Sequence, residues 1–288
     1  MKFTKMQGAG NDYIFIDARD ESLALTDWPA LSRAMSDRHF GVGGDGIILF
    51  LPSRTADLKM RMFNADGSEG EMCGNGIRCF AKHAVDRGMV AADSSSVRVE
   101  TLSGVRTIEP VLEGDAVVRA RVAMGEPRLA PAEVPVDLPD GGGERVSGAV
   151  VNYPLELGGA HLKLSFVSMG NPHAVAFLDE PVDRFPLHVL GPQVERHPMF
   201  PNRVNFEIVN QAGDGRLTAR VWERGSGETM ACGTGACAIG VASRILGHTG
   251  DAVDITLPGG TLNVSWDGRG QVYLEGDAVE VFQGEWTE

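Results

Sequence analysis

Residues 223–247 read ERGSGETMACGTGACAIGVASRILG, and residues 64–88 carry a second copy of the same pattern, NADGSEGEMCGNGIRCFAKHAVDRG. Each copy passes through a Gly-Ser turn, presents a cysteine followed by Gly-x-Gly, and continues with helical spacing of apolar residues until a glycine. The spacing from cysteine to that glycine is the same in both copies, Cys73 to Gly88 and Cys232 to Gly247. The repeat therefore predicts two equivalent cysteines, each at the start of a helix.

A cysteine at the start of a helix has a chemical consequence. The unbonded amide N–H groups and the positive end of the helix dipole stabilise anions and lower the pKa of a thiol from its usual value of about 8.5. The same amides can hold a carboxylate and the negative charge that develops when a neighbouring proton is removed. Two such sites suit a reaction that needs one proton-transferring group on each side of a carbon. The sequence thus predicts inversion of a stereocentre.

The duplication extends beyond the cysteine stretches, because a Gly-Asn turn between two strand-like runs precedes each of them. Asn11 lies 62 positions before Cys73, and Asn171 lies 61 positions before Cys232. We predict an α+β fold of two pseudo-symmetric domains, each a mostly antiparallel β-barrel around a central helix. The predicted N-terminal domain comprises residues 1–124 and a returning strand in 277–288, and the C-terminal domain comprises residues 125–276.

Further elements follow from local signals. A helix is predicted to begin at the cap Thr26 or Asp27, with Pro29 in its first turn. A second helix is predicted over Leu187–Glu195. Residues 125–149 hold four prolines and three consecutive glycines, so they are predicted to form a connection with pieces of edge strand.

Composition limits the partners and the compartment. The formal net charge is −13, which argues against a nucleic-acid or anionic-membrane partner. The N-terminus shows no apolar signal-like run, so a cytoplasmic location is expected. The four cysteines are expected to remain thiols there, with Cys79 and Cys237 as core residues. Their spacing does not fit a zinc site, and the sequence predicts neither a metal nor any other cofactor.

Read together with MGNPH at 169–173 and RVN at 203–205, the motifs FNADGSE…CGNGIRC and ERGSGET…ACGTGAC resemble the diaminopimelate epimerase family over nearly the whole chain. The resemblance implies a cofactor-independent, two-thiol amino-acid epimerase that converts LL- into meso-diaminopimelate for lysine and cell-wall synthesis. It also implies a homodimer, and two pseudo-symmetric barrel domains with the active site in the cleft between them. One position departs from part of the family, which carries a glutamine where this chain has Gly46.

The resemblance assigns roles to individual residues. It makes Cys73 the proton donor and Cys232 the proton acceptor in one direction, with the roles exchanged in reverse. It makes His173 and Glu223 the residues that poise the thiols. The substrate-binding residues that it implies are Asn11, Asn64, Gly74, Asn75, Asn171, Asn205, Glu223, Arg224, Gly233 and Thr234.

Alternative functions remain open on the sequence. A racemase of proline, hydroxyproline or histidine type would share the two-cysteine arrangement. Arg224, Asn64 and Asn205 favour a substrate with a second polar end, which proline lacks. A non-catalytic amino-acid-binding protein would not require two thiols. A redox role through a Cys73–Cys232 disulfide is chemically conceivable, and we interpret such a bond as an inactivation hazard.

Overall fold

The computed structural model describes residues 1–91, 95–138, 141–211 and 215–287. The chain forms two compact units. Unit 1 comprises Met1–Ala123 together with Glu275–Glu288, and unit 2 comprises Met124–Leu274. Each unit is built mostly of strands around one long helix.

The elements are numbered in chain order. The strands up to the end of the first repeat are β1 (Lys2–Gly8), β2 (Asn11–Asp17), β3 (Gly46–Leu51), β4 (Leu58–Asn64), β5 (Glu69–Gly70), β6 (Val97–Thr101), β7 (Gly104–Glu113) and β8 (Ala116–Gly125). The later strands are β9 (Glu144–Val146), β10 (Ala149–Val151), β11 (Tyr153–Leu157), β12 (Ala160–Ser168), β13 (Pro172–Leu178), β14 (Asn205–Gln211), β15 (Leu217–Glu223), β16 (Gly227–Thr229), β17 (Ala252–Leu257), β18 (Gly260–Ser265), β19 (Val272–Asp277) and β20 (Val279–Glu285). The helices are α1 (Trp28–Ser36), α2 (Gly74–Asp86), α3 (Leu187–Glu195) and α4 (Gly233–Leu246), with 3-10 turns at Glu21–Leu23 and Val182–Arg184.

The strands of the two units pair in the same order and sense. In unit 1, β1–β2, β3–β4 and β6–β7 are antiparallel, whereas β2–β3 and β4–β6 are parallel. In unit 2, β12–β13, β14–β15 and β17–β18 are antiparallel, whereas β13–β14 and β15–β17 are parallel. This agreement confirms the predicted duplication and the predicted mostly antiparallel α+β fold.

The registers fix which residues are equivalent. Tyr13 pairs with Gly46 in unit 1 as His173 pairs with Asn205 in unit 2. The Ile47–Phe63 pair of unit 1 corresponds to the Phe206–Trp222 pair of unit 2. Counting along the strands makes Ile48 the counterpart of Glu207 and Asn64 the counterpart of Glu223.

The long helix of each unit packs against one face of its strands. Helix α2 contacts β1, β2, β3 and β7, and helix α4 contacts β12, β13, β14, β17 and β18. Most of their side chains are buried, as an apolar helix surrounded by strands requires. Cys79 and Cys237 are 1% and 0% exposed, which confirms them as core residues.

The opposite face of the strands carries a second apolar layer in each unit. In unit 1, Trp28, Leu31 and Met35 of α1 pack against Ile14, Ile16, Ile47 and Leu49. In unit 2, Leu187 and Val194 of α3 pack against a similar set that includes Phe206 and Ile208. Because successive strand residues point to opposite faces, Ile48 and Glu207 point the other way, towards the long helices.

The short helices begin and end close to their predicted limits. Asp27 caps α1 by accepting a hydrogen bond from the Ala30 amide at 3.0 Å, which confirms the predicted cap. Helix α3 occupies Leu187–Glu195, as predicted. The connection expected over residues 125–149 contains more structure than its glycines and prolines suggested, because β9 pairs with β10 as a hairpin.

The last strand belongs to unit 1. Strand β20 pairs antiparallel with β1, so that Lys2 faces Glu285. The Met1 ammonium donates to the Trp286 carbonyl at 2.6 Å. The Ala278 amide donates to the carbonyl of Val118 in β8 at 3.2 Å. The strands of unit 1 therefore follow one another from β20 through β1, β2, β3, β4, β6 and β7 to β8, and the Ala278 bond closes this ring.

Candidate active site

The cysteine of each repeat is the N-cap of the long helix of its unit. Cys73 and Cys232 have nearly the same backbone angles, φ −120° and ψ 119° against φ −117° and ψ 116°. Each Sγ accepts a hydrogen bond from the amide of the third residue that follows it, Gly76 or Gly235, at 3.4 Å. The thiol thus occupies the place of a capping hydroxyl. Gly74 and Gly233 are the first residues of the two helices.

The surroundings of Cys73 in unit 1 are organised around Asn75 and Asn11. Asn75 is buried, and its amide donates to the side-chain oxygen of Asn11. The Asn75 oxygen accepts from Nη1 of Arg78 at 2.9 Å. Asn11 Nδ2 in turn donates to Asp45 at 3.2 Å. Two of the predicted asparagines therefore form one hydrogen-bonded chain beside Cys73.

Asn64 ends β4 and contacts the turn that follows it. Its Nδ2 donates to the hydroxyl of Ser68 at 2.9 Å, and its amide N–H donates to the Ser68 carbonyl at 2.8 Å. Gly46 faces Asn64 across the ladder, and a Cβ at position 46 would lie 2.1 Å from the Phe63 carbonyl oxygen. This backbone therefore has no room for the glutamine that part of the family carries there.

Cys232 is the more enclosed of the two thiols, 7% exposed. The Thr234 hydroxyl lies 3.4 Å from Sγ. Burial raises the pKa of Cys232 well above its usual value, and the charges of Glu223 and Glu207 raise it further. The expectation that the helix start lowers this pKa is wrong for Cys232, because burial and two carboxylates outweigh the donors from Thr234 and Gly235.

Glu223 is in hydrogen-bond contact with the Cys232 thiol. Burial raises the pKa of Glu223, and hydrogen bonds from Thr229 and Cys232 oppose that rise. The Thr229 hydroxyl donates to Glu223 Oε1 at 2.5 Å. A carboxyl group and a thiol in contact, both with raised pKa values, can pass one proton between them.

His173 is completely buried in the same unit. Its Nδ1 lies 2.7 Å from Oε1 of Glu207, and its Nε2 lies 3.0 Å from Oδ1 of Asn171. Nδ2 of Asn171 donates to the Thr234 hydroxyl at 3.2 Å. Three of the predicted residues thus form a hydrogen-bonded chain that ends at Cys232.

Glu207 is a site residue that the sequence analysis missed. It lies within the apolar strand run NFEIV and is completely buried. A carboxylate at an inward position of a strand signals a function, because ionised side chains are almost never fully buried without a partner. To use that signal one must know which side chains of the strand point inwards, and the sequence alone did not provide this.

Asn205 and Arg224 are joined through the backbone. Asn205 is buried; its Nδ2 donates to the Pro172 carbonyl at 3.0 Å, and its Oδ1 accepts from the Arg224 amide at 2.8 Å. The Arg224 side chain is exposed, and its Nη1 donates to the Asn202 carbonyl at 2.9 Å. Asn205 thus holds the start of the ERGSGET turn, whereas the guanidinium of Arg224 is open to solvent.

The surroundings of Cys73 and Cys232 differ in chemistry, although the two units have the same topology. At the positions of His173, Glu207 and Glu223, unit 1 has Tyr13, Ile48 and Asn64. Cys232 therefore has two carboxylates and an imidazole in its unit, and the equivalent positions around Cys73 carry none of these groups.

Two further findings concern metals and membranes. In the four described ranges, no three His, Cys, Asp or Glu side chains are grouped so that they could hold a metal ion. No helix in the described part of the chain is long and apolar enough to cross a membrane.

Comparison with known proteins identifies the family. The diaminopimelate epimerase family model matches residues 3–130 and 165–281. Among curated relatives, the diaminopimelate epimerase of Pelotomaculum thermopropionicum is 49% identical, with 99% of this chain and 99% of that protein covered. The diaminopimelate epimerase of Desulfovibrio desulfuricans is 47% identical (99% and 98% covered), and that of Methanococcus maripaludis is 45% identical (99% and 99% covered).

Solved structures share the fold at lower identity. A Bacillus anthracis phenazine biosynthesis protein of the PhzF family superposes with a TM-score of 0.69 at 17% identity, covering 100% of this chain and 99% of that one. A probable proline racemase from Agrobacterium radiobacter gives 0.67 at 15% identity, covering 99% and 92%. The fold therefore places the protein in a class of duplicated β-barrel proteins. Within this class, the chain belongs to the diaminopimelate epimerase family.

Proposed function

We propose that this protein inverts one α-carbon of LL-diaminopimelate to give meso-diaminopimelate. Its family membership makes it an isomerase of the amino-acid epimerase type. The observation that carries the proposal is the repeated helix start: in each unit a cysteine caps the long helix, and its thiol accepts a hydrogen bond from a backbone amide of the first turn. Identity to diaminopimelate epimerases of 45–49%, against 15% to a probable proline racemase, favours diaminopimelate over proline as substrate.

In the proposed mechanism, Cys73 and Cys232 act on opposite faces of the same α-carbon. One thiolate removes the α-proton while the other thiol delivers a proton to the opposite face. A group that returned its own proton to the same face would regenerate the starting isomer. The amides of Gly74, Asn75, Gly233 and Thr234 hold the α-carboxylate and the charge that spreads onto it in the transition state.

Glu223 prepares the thiol of Cys232. When Cys232 serves as base, its proton passes to the Glu223 carboxylate that contacts it. Because burial raises the pKa of Glu223, the proton transfer from a thiol of high pKa is less uphill than it would be to an exposed carboxylate. When Cys232 serves as acid, Glu223 stays protonated and the thiol gives its own proton.

The remaining predicted residues are proposed to bind the polar groups of diaminopimelate. Arg224 is suited to a carboxylate because its planar guanidinium can donate two parallel hydrogen bonds. The proposed amide ligands, which can pair with ammonium or carboxylate groups, are Asn11, Asn64, Asn75, Asn171 and Asn205. The exposed guanidinium of Arg224 is available to a ligand without breaking a buried contact.

The test removes one thiol at a time. Cys73→Ala and Cys232→Ala should each lower the inversion rate by at least the roughly 10²–10⁴-fold typical of a general acid or base, and the double variant should add little. In heavy water each single variant should still exchange the α-hydrogen of only one configuration, the one that faces the surviving thiol. NMR with LL- and meso-diaminopimelate offered separately would measure this exchange.

The other two cysteines supply matched controls. Cys79→Ala and Cys237→Ala remove thiols of the same two helices that are buried in the core, so inversion should remain within a few-fold of wild type. Burial raises the pKa of Cys79 to about 12, which keeps it protonated. Inversion at near wild-type rate by either active-site variant, or exchange of the same configuration by both, would contradict the proposal.

We also propose that the protein is a cytoplasmic homodimer. A reducing compartment would keep its four cysteines as thiols, the state in which the structure has them. Val279, Val281 and Phe282 of β20 are 41%, 55% and 45% exposed, and such apolar clusters mark interaction surfaces. Sedimentation should show a dimer that Val281→Glu weakens and that Leu25→Glu, at an isolated position 99% exposed, does not. A wild-type monomer at micromolar concentration would contradict this proposal.

A further inference from the structure

We propose that Glu207 is a positioning residue that orients the hydrogen bonds of His173, Asn171 and Thr234, so that the Thr234 hydroxyl donates to the thiolate of Cys232. This inference rests on the proposed function, since it assigns a further residue to the same site. It concerns unit 2 alone, because all the residues of this series of hydrogen bonds lie in that unit.

Glu207 is held in place from two sides. Its carboxylate is completely buried and lies 2.7 Å from Nδ1 of His173, which is also completely buried. Its Oε1 lies against the first turn of α4, where a Cβ on Gly235 would come within 2.8 Å of it. Its other oxygen, Oε2, is buried and has no hydrogen-bond partner among the described residues. A buried carboxylate with one partner depends strongly on that partner.

The atoms that face one another define the direction that we propose for these hydrogen bonds. Both ring nitrogens of His173 face oxygen acceptors, Glu207 Oε1 and Asn171 Oδ1, so in the proposed arrangement both nitrogens donate, one to the Glu207 carboxylate and one to Asn171. Asn171 then presents its amide nitrogen to the Thr234 hydroxyl oxygen. The hydroxyl hydrogen is left for Cys232 Sγ at 3.4 Å.

Loss of the Glu207 charge should reverse this direction. A glutamine at 207 can accept from Nδ1–H, but it brings no negative charge to pair with an imidazole that donates from both nitrogens, so Nε2 becomes an acceptor. Asn171 must then turn its amide nitrogen to Nε2 and its oxygen to Thr234. The Thr234 hydrogen goes to Asn171, and Sγ loses that donor. The charge of Glu207 by itself raises the pKa of Cys232, so its loss alone would favour the thiolate, and a slower reaction of the variant would come from the lost donor.

The equivalent position in unit 1 is an internal control. Ile48 of unit 1 occupies the position of Glu207. A Cβ on Gly76 would lie 2.7 Å from Ile48 Cδ1, and a Cβ on Gly235 would lie 2.8 Å from Glu207 Oε1. An apolar side chain therefore fills this place beneath the helix start of α2. Packing alone does not require a carboxylate there. We therefore attribute the carboxylate of unit 2 to its interaction with His173.

The experiment combines Glu207→Gln with each of the two variants that lack one catalytic cysteine, Cys73→Ala and Cys232→Ala. In the Cys73→Ala protein, where Cys232 is the remaining catalytic thiol, α-hydrogen exchange into heavy water should fall at least tenfold. In the Cys232→Ala protein, exchange through Cys73 should fall less than threefold. The matched control is Glu156→Gln, which breaks the exposed Glu156–His161 pair of the same unit and should change neither rate. An equal loss through both thiols, or a loss through neither, would overturn the inference.

A second readout does not depend on catalysis. In the Cys73→Ala protein, Glu207→Gln should slow alkylation of Cys232 by iodoacetamide at pH 8 at least threefold, as followed by peptide mass spectrometry, because the thiolate loses a donor. Thr234→Val removes that donor directly and should slow it similarly, which covers the case that Glu207→Gln fails to fold. Unchanged alkylation in the folded variants would overturn the inference. If the parent single-cysteine variants exchange no hydrogen at all, the proposed function fails, and the alkylation result still decides the role of Glu207.

Discussion

The guanidinium of Arg78 donates from Nη1 to Oδ1 of Asn75 at 2.9 Å, and both side chains are buried. The same nitrogen donates to the Gly74 carbonyl at 3.2 Å, and Nε donates to the carbonyl of Asp277 at 3.3 Å. One arginine therefore ties the first turn of α2 to the segment of chain that returns to unit 1.

Removing this guanidinium should be costly to stability. Arg78→Met should lower the free energy of unfolding by about 2–4 kcal/mol, since it removes the guanidinium donors to Asn75 Oδ1 and to the Asp277 carbonyl. Urea denaturation would measure the change. The control is Arg87→Met, which breaks the exposed ion pair with Glu280 and should cost less than about 1 kcal/mol. Similar costs for the two variants would show that the buried contacts of Arg78 contribute no more than a surface pair.

Arg224→Ala should weaken the use of diaminopimelate. The expected loss in kcat/KM corresponds to a few kcal/mol, the order found when a charged hydrogen bond to a bound ligand is lost. The guanidinium is exposed, and it is the backbone amide of Arg224 that donates to Asn205. The free energy of unfolding should therefore change little in this variant. Arg224→Lys should recover only part of kcat/KM, since a lysine cannot donate two parallel bonds. An unchanged kcat/KM in the alanine variant would remove Arg224 from substrate binding.

His83 should make stability depend on pH below neutrality. Burial lowers its pKa to about 4, with the charge of Arg87 adding to the effect, and its ring stacks on Phe50 at 4.7 Å between centroids. The unfolded chain, with a histidine pKa of about 6.5, binds a proton that the folded chain does not. This contribution to stability is therefore complete above about pH 6.5 and is lost as the pH falls towards 4, by about 2 kcal/mol between pH 7.5 and 5.0.

The measurement for His83 is a comparison of urea midpoints at those two pH values. His83→Phe keeps an aromatic ring against Phe50 and cannot take up a proton. The difference between wild type and variant isolates the histidine from the carboxylates, which titrate in both proteins. If the two proteins lose equal stability between pH 7.5 and 5.0, then His83 is not held neutral by the fold.

Gly76 and Gly235, the second glycines of the motifs CGNG and CGTG, should differ in how well they tolerate substitution by alanine. A Cβ at Gly235 would meet Glu207 Oε1 at 2.8 Å, and this oxygen is fixed by His173. A Cβ at Gly76 would meet the terminal methyl group of Ile48 at 2.7 Å, which a change of side-chain rotamer can move. Gly235→Ala should therefore lower the free energy of unfolding by about 1–3 kcal/mol, whereas Gly76→Ala should stay within about 1 kcal/mol of wild type. Thermal unfolding would test the order, and the reverse order would contradict the assigned role of Glu207 at α4.

Activity should survive exhaustive dialysis against a chelator. In the described residues no three potential ligands are grouped for a metal, and the helix amides can carry the charge that develops on the substrate. Restoration of lost activity by an added metal ion would contradict this expectation. The absorbance spectrum should also show no pyridoxal band.

Most of the fold could be predicted because its signals are local. The repeat spacing, the Asp27 cap and the Leu187–Glu195 helix all depend on residues close together in sequence, and each has its counterpart in the structure. The hairpin of β9 and β10 was not predicted, since strands of three residues are too short to show a clear alternation of apolar and polar residues.

The chemistry around Cys232 was less predictable. The helix start suggested a lowered thiol pKa, but the direction depends on burial and on Glu207, whose position next to α4 follows from strand facing and not from sequence neighbours. The role of Asn205 illustrates the same point, because its contacts with Pro172 and with the Arg224 amide come from residues 33 and 19 positions away.

The pairing of β20 with β1 also has a consequence for synthesis on the ribosome. Unit 1 begins earlier in the chain than unit 2, yet it needs the strand Val279–Glu285 to close its ring. Unit 2 is continuous and ends at Leu274, so all of its residues have been added before that strand is made. Since domains generally fold as units while the chain grows, we expect the unit that starts first to finish last. The growing chain would then keep the edge of β1 open until Val279–Glu285 has been made.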